Sequence, residues 1–245
     1  MIKVNQLAKN YGPIKAVNNL TFSAKKGDVL GFLGPNGAGK STTMKILTGF
    51  ISPSHGDATV CGLSVEDYPI EVKSKIGYMP ENAPLYDDMT VLDFLSFIAD
   101  LREIPKAAIT HKIQEVLDLC ALNGVKHQTI ETLSKGFKRR LSLAQALIHD
   151  PEVLILDEPT DGLDPNQKHD VRELIKKLSH NKCIILSTHI LEEVESVCNR
   201  AIIISNGEKK FDGTPEELKN KSSEHKLDDV FRAITTGESV QGVNL

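Results

Sequence analysis

The run Gly34-Pro35-Asn36-Gly37-Ala38-Gly39-Lys40-Ser41 constrains this chain more than any other. Its spacing is G-x-x-x-x-G-K-[ST]. Glycines let the backbone curl tightly and aim successive N–H groups into one concavity. The positive end of the following helix reinforces that concavity as a seat for phosphate oxygens. Lys40 adds a cation for the β- and γ-phosphates, and the Ser41 hydroxyl is a hard oxygen suited to Mg²⁺. Residues 28–33 read as a buried strand entering the loop, and 41–47 as the helix leaving it. Residues 34–42, ending with Thr42, are therefore the candidate nucleotide-phosphate site, and strand–loop–helix in this order implies an α/β core.

The 245 residues are enough for one large domain with a subdomain. A formal net charge of −4 gives no global basic signal, so nucleic acid is not an expected partner. The four cysteines (Cys61, Cys120, Cys183, Cys198) are too dispersed for a zinc site or a disulfide framework, and Cys120 and Cys183 sit among apolar neighbours as reduced core residues do. Residues 1–5 do not read as a secretory leader. No apolar run approaches the ~20 residues needed to cross a bilayer, so any membrane role needs a spanning partner.

Residues 2–33 carry short β-like runs: 2–4 and 17–22 alternate apolar and polar as half-buried antiparallel strands do, and 59–61 and 76–79 are further short strands. From about 85 to 150 the texture is helical. Thr90 is positioned to cap a helix beginning at Val91. Ile113, Val116, Leu117 and Cys120 form one apolar stripe; Leu141, Ala144, Leu147 and Ile148 form another. After 152, buried strands at 153–156, 184–186 and 202–204 alternate with a helix at 166–180, as in a sheet covered on both faces. The expected architecture is an α/β phosphate-loop nucleotide-binding core with an antiparallel β subdomain and an all-helical insertion. It forms one domain over 1–235, with a short helix at 227–234 and a flexible tail at 236–245.

A phosphate loop alone does not name a reaction. Residues 154–156 form an apolar strand whose end projects Asp157 and Glu158. Asp157 is suited to hold Mg²⁺ or its water shell, and Glu158 to accept a proton from an attacking water. Phosphoryl transfer depends mostly on positioning and charge stabilisation, so few groups suffice.

Further motifs follow in order. Leu133-Ser134-Lys135-Gly136-Phe137 resembles the signature sequence of ABC ATPases, usually Leu-Ser-Gly-Gly-Gln. Residues 161–165 (Asp-Gly-Leu-Asp-Pro) look like that family's D-loop, Ser187-Thr188-His189 like its switch histidine, and Tyr11 occupies the place of its adenine-stacking aromatic. The resemblance implies ATP and Mg²⁺ as cofactors and a head-to-tail dimer, most simply a homodimer, that sandwiches two nucleotides. Each nucleotide would meet residues 34–42 of one chain and Ser134 and Gly136 of the other, with Asp164 contributing from the D-loop and His189 facing the γ-phosphate. It also implies a transmembrane permease on a separate chain, and hence a cytoplasmic protein held peripherally at the inner face of the membrane.

Three positions depart from the family pattern. Glu81 stands where glutamine is usual, a carboxylate able to ligate Mg²⁺ but repelled by a close γ-phosphate. Lys135 and Phe137 replace the signature's Gly and Gln, and Asp161 replaces the D-loop serine. Glu81 with Leu-Ser-Lys-Gly-Phe is similar to a branch containing gliding-motility, multidrug and polysaccharide exporters. A soluble ABC ATPase of translation or DNA repair is the alternative. Translation-type members usually carry two cassettes, and repair-type members insert a long heptad coiled coil, which is lacking between Ser41 and Glu158. For the permease, 83–89 (Leu85, Tyr86 and Met89 above all) form the expected docking surface. Phe94 and Phe97 are divided between that surface and the subdomain core.

Overall fold

The computed structural model describes residues 1–222, 227–237 and 243. Strands β1 (Ile2–Tyr11) and β2 (Ile14–Ala24) pair antiparallel. They join β4 (His55–Val60) and β5 (Leu63–Ser64) in a four-stranded sheet of order β2-β1-β4-β5. The second sheet has six strands. Its parallel part comprises β3 (Val29–Leu33), β6 (Ile76–Met79), β7 (Val153–Asp157), β8 (Cys183–Thr188) and β9 (Arg200–Ser205). The edge strand β10 (Glu208–Gly213) runs antiparallel to β9, giving the order β10-β9-β3-β8-β7-β6.

Both faces of the parallel sheet are covered, which is why its central strands are apolar throughout. Leu30, Phe32, Ile155, Ile185 and Ile202 pack with the four-stranded sheet and with α1 (Lys40–Leu47). Leu33, Leu154, Leu156, Ile184 and Ile203 pack with the helices of the other face. Those are α3 (Val91–Leu101), α4 (Lys106–Leu119) and α5 (Lys135–Leu147) of the inserted stretch, with α6 (Pro165–Ser179) and α7 (Leu191–Val197). Thr90 caps α3 through its hydroxyl, as its type and position predict.

Several elements escape the sequence patterns: α2 (Pro69–Lys75), β5, β10 and α8 (Pro215–Lys219). The helix expected at 227–234 is α9 (Leu227–Thr236). The tail expected at 236–245 lies, apart from Thr236, Gly237 and Val243, outside the described residues. Among the described residues no helix is long and apolar enough to cross a membrane.

Register places the chemistry. Leu33 pairs with Thr188, Asp157 with Ser187, and Met79 with Leu156. The loops leaving β3, β8, β7 and β6 therefore emerge side by side at the carboxyl edge of the parallel strands, where ligands bind in such folds.

Candidate nucleotide site

That edge opens into a cavity of about 630 Å³. Tyr11, the stretch 36–42, Glu81, Asp157, Glu158, Asp161 and His189 all line it. Gly34 and Pro35 sit behind the wall, their carbonyls accepting from Lys40 Nζ at 2.7 and 3.3 Å. Ser134, Gly136 and Asp164 lie outside the cavity of their own chain. Ser134 caps α5, Gly136 lies in its first turn, and Asp164 caps α6.

The loop is tight because its backbone goes where only glycine is comfortable. Gly39 has φ 107°, and a Cβ there would stand 2.3 Å from the Ala16 carbonyl. Burial lowers the Lys40 pKa, while Glu158, Asp157 and Glu81 oppose that shift. Buried and facing these three carboxylates, Lys40 donates to the carbonyls of its own loop.

Asp157 is nearly fully buried, and its Oδ1 accepts from the Ser187 hydroxyl. Next to it, Glu158 takes a left-handed φ of 51°, uncommon outside glycine and costing about 1–3 kcal/mol. Three contacts hold it there. Its N–H donates to Ser187 Oγ at 3.0 Å, its carbonyl accepts from Arg139 Nη2, and both carboxylate oxygens lie 3.1 Å from His189 Nδ1. Desolvation raises the Glu158 pKa, with the His189 contact and Lys40 opposing. Tyr11, about half exposed at the end of β1, offers a ring at the rim.

The donor chemistry fits a magnesium–nucleotide complex. Ser41, Asp157 and Glu81 bring hard oxygens to one cavity. Among the described residues, no cluster of three or more His, Cys, Asp or Glu side chains could by itself hold a metal. The two carboxylates and the hydroxyl in the cavity suit Mg²⁺, which takes one or two protein carboxylates and fills the rest of its shell with phosphates and water.

The signature segment opens α5 with a basic cluster of Lys135, Lys138, Arg139 and Arg140. Here each has a partner in its own chain. Lys135 meets Asp161 at 3.1 Å, Lys138 meets Asp87 at 2.9 Å and Arg140 meets Asp170 at 3.0 Å. Arg139 is not solvated at all; it is buried against the carbonyls of Pro80, Glu81 and Glu158. Two departures from the family pattern, Lys135 and Asp161, thus pair with each other. The sequence also hid Glu193, a buried carboxylate on α7 that accepts from the hydroxyls of Thr160 and Thr188. It ties together the loops bearing Glu158 and His189. Its only local signal is an acidic residue on the apolar face of a short helix.

A phosphate loop, a carboxylate pair and an imidazole at the strand ends define an ATP-hydrolysing cassette of the phosphate-loop class. The match is specific: the ABC transporter family model covers residues 17–161. An uncharacterized ABC transporter ATP-binding protein of Bacillus subtilis, YxlF, is 37% identical over 90% of this chain and 73% of its own length. The Nod factor export ATP-binding protein I of Ralstonia nicotianae is 36% identical over 89% of this chain and 68% of that protein. A solved ATP-binding subunit of an ABC transporter superposes with TM-score 0.87 at 28% identity, covering 96% of this chain and 99% of that one. A dimeric bacterial ABC transporter cassette, 24% identical, shares the fold with TM-score 0.81 over 88% of this chain and 99% of its own. The chain belongs to the ABC transporter family, as an ATP-binding cassette that hydrolyses ATP.

Proposed function

We propose that this chain is the Mg²⁺-dependent motor of an exporter, working as a head-to-tail pair of cassettes beneath a permease carried on a separate chain. The observation that carries the reading is the single cavity shared by the loop 36–42, Asp157, Glu158 and His189. The loop N–H groups and Lys40 bind the phosphates, and Tyr11 stacks on the base. Ser41 and Asp157, with Glu81 nearby, hold the Mg²⁺. When bound there, the ion would supply neutralisation of phosphate charge. Glu158 orients the attacking water and takes its proton, which calls for a carboxylate aimed into the site and kept ionised. His189, bonded to that carboxylate, holds its rotamer and faces the γ-phosphate side.

Ser134, Gly136 and Asp164 lie outside their own chain's cavity, which supports a role toward a partner's nucleotide. The α5 N-terminus, capped by Ser134, offers free N–H groups and positive dipole to an anion. Relatives named for Nod factor export support the direction of transport. For the permease, a partly apolar groove of about 330 Å³ lined by Phe50, Tyr78, Ile98, Leu101 and Arg102 supports docking of a short helix. It opens between the core and the helical insertion, with Phe50 and Leu101 exposed. The surface expected around 83–89 needs adjustment: Leu85 and Met89 pack partly into the core and Phe94 is fully buried, leaving Tyr86 and Phe97 outside as an edge-on aromatic pair.

Light scattering tests the pairing. Glu158→Gln protein with ATP is expected at twice the monomer mass and with ADP at the monomer mass; a strictly monomeric species with ATP at high concentration contradicts a homodimer. Co-purification with a membrane protein encoded beside this chain tests the permease.

A further inference from the structure

Arg139 is a buried cation with unusual company. It lies in the second turn of α5 and is 8% exposed. One face of its guanidinium bonds to the carbonyls of Glu81 and Pro80, and Nη2 bonds to the carbonyl of Glu158. No carboxylate lies within ion-pair distance of it among the described residues, and its Nε is buried with no partner. Its hydrogen bonds go only to neutral carbonyls, with the carboxylates of Asp161, Glu81, Asp157 and Glu158 acting on the charge from beyond contact distance; burial of such a charge is costly for fold stability alone, since desolvation is only partly repaid. What the contacts do achieve is geometric. β6 and β7 pair in register, Met79 with Leu156, so Glu81 and Glu158 stand level with each other two residues beyond that pair. There the two backbones have left the sheet ladder. The rigid fork of one guanidinium spans them, a task for which its planar donors suit it. One of the two carbonyls belongs to the residue in the left-handed conformation, whose N–H is already taken by Ser187.

We propose that Arg139 is a positioning residue for ATP hydrolysis: its guanidinium fixes the backbone of Glu158 relative to that of Glu81, so that the Glu158 carboxylate stands where it meets the attacking water. The proposal rests on Glu158 as the water-activating base. Arg139 does not line the nucleotide cavity, and none of its contacts reaches the phosphate loop. It therefore bears on turnover and leaves nucleotide affinity alone.

The experiment compares Arg139→Ala and Arg139→Lys with wild type, in the wild-type and Glu158→Gln backgrounds, by steady-state ATPase assay of the full chain. A misplaced catalytic group costs on the order of 10–100-fold, so kcat of Arg139→Ala is expected to fall by that much. KM for ATP should stay within about threefold of wild type. Arg139→Lys keeps the charge but cannot span both loops, so it should remain folded and recover only part of the rate. Guanidinium ion added to Arg139→Ala should restore part of kcat. In the Glu158→Gln background, removing Arg139 should cost less than about threefold more, because the group it positions is already disabled. Wild-type kcat in folded Arg139→Lys, equal losses in both backgrounds, or a rise in KM matching the fall in kcat would each overturn the proposal. Wild-type turnover in Glu158→Gln alone would instead remove the underlying assignment of the base, and the two failures are told apart by that single variant.

Discussion

As the proposed base, Glu158 has to be ionised in surroundings that resist it. Burial raises its pKa, and the His189 and Lys40 contacts work against that rise. A base is active only when deprotonated, so activity falls as pH drops through its pKa. The acid limb of the kcat/KM profile should therefore lie above that of an ordinary glutamate. His189→Ala removes an opposing contact and should move the limb further up; a limb that stays put or moves down contradicts the arrangement. Lys40→Ala should act differently, weakening ATP binding in an equilibrium titration. The residues that share this cavity were legible because short contiguous spacing marks them: glycines around Lys40, a carboxylate pair ending an apolar strand. Arg139 and Glu193 were not legible. Each joins segments distant in sequence, Arg139 reaching back 58 positions to Glu81 and Glu193 reaching back 33 to Thr160, and no short contiguous motif marks such contacts. Lys135 and Asp161 each looked like an isolated departure because the contact between them exists only in three dimensions.

Among the elements, α5 carries the most consequences. Its face toward β6 bears Arg139, Ser142 and Gln145, and His149 follows just past its end; each has a buried polar atom without a partner. His149 donates from Nε2 to the Ile76 carbonyl, and burial holds its pKa down at about 4. The folded state thus refuses a proton that the unfolded chain accepts near pH 6.5. Stability is complete above pH 6.5 and declines as pH falls toward about 4, by at most about 3 kcal/mol from this group. Urea unfolding of His149→Gln should show a flatter slope across that window; an unchanged slope assigns the acid sensitivity elsewhere. At α6, Asp164 accepts from Gln167 N–H at 2.9 Å and Gln167 reaches back to the Asp164 N–H. Asp164→Ala should cost about 1 kcal/mol of stability by urea unfolding. Long apolar strands and helices with clear stripes could be read from the sequence, because burial dictates their pattern. β10 could not: as an edge strand reading Glu-Lys-Lys-Phe-Asp-Gly it is polar by necessity, since charge on an exposed edge discourages pairing with other chains.

For the molecule as a whole, the parallel sheet is the common reference for every part. One face packs the antiparallel sheet, the other the helices, and the carboxyl edge holds the candidate site. A patch remote from that edge should then be separable from it. Replacing exposed Phe50 and Leu101 together by aspartate should abolish permease binding while ATPase activity of the free chain stays within about twofold, since surface changes of this kind seldom disturb stability much. Intact permease binding would move the docking site elsewhere. The central claim is that one cavity binds ATP and activates water through Glu158. Equilibrium ATP binding and steady-state turnover of Glu158→Gln, measured side by side with wild type, test it most directly. Unchanged affinity with turnover reduced by ~10²-fold or more is the predicted result; turnover equal to wild type at saturating ATP would contradict it.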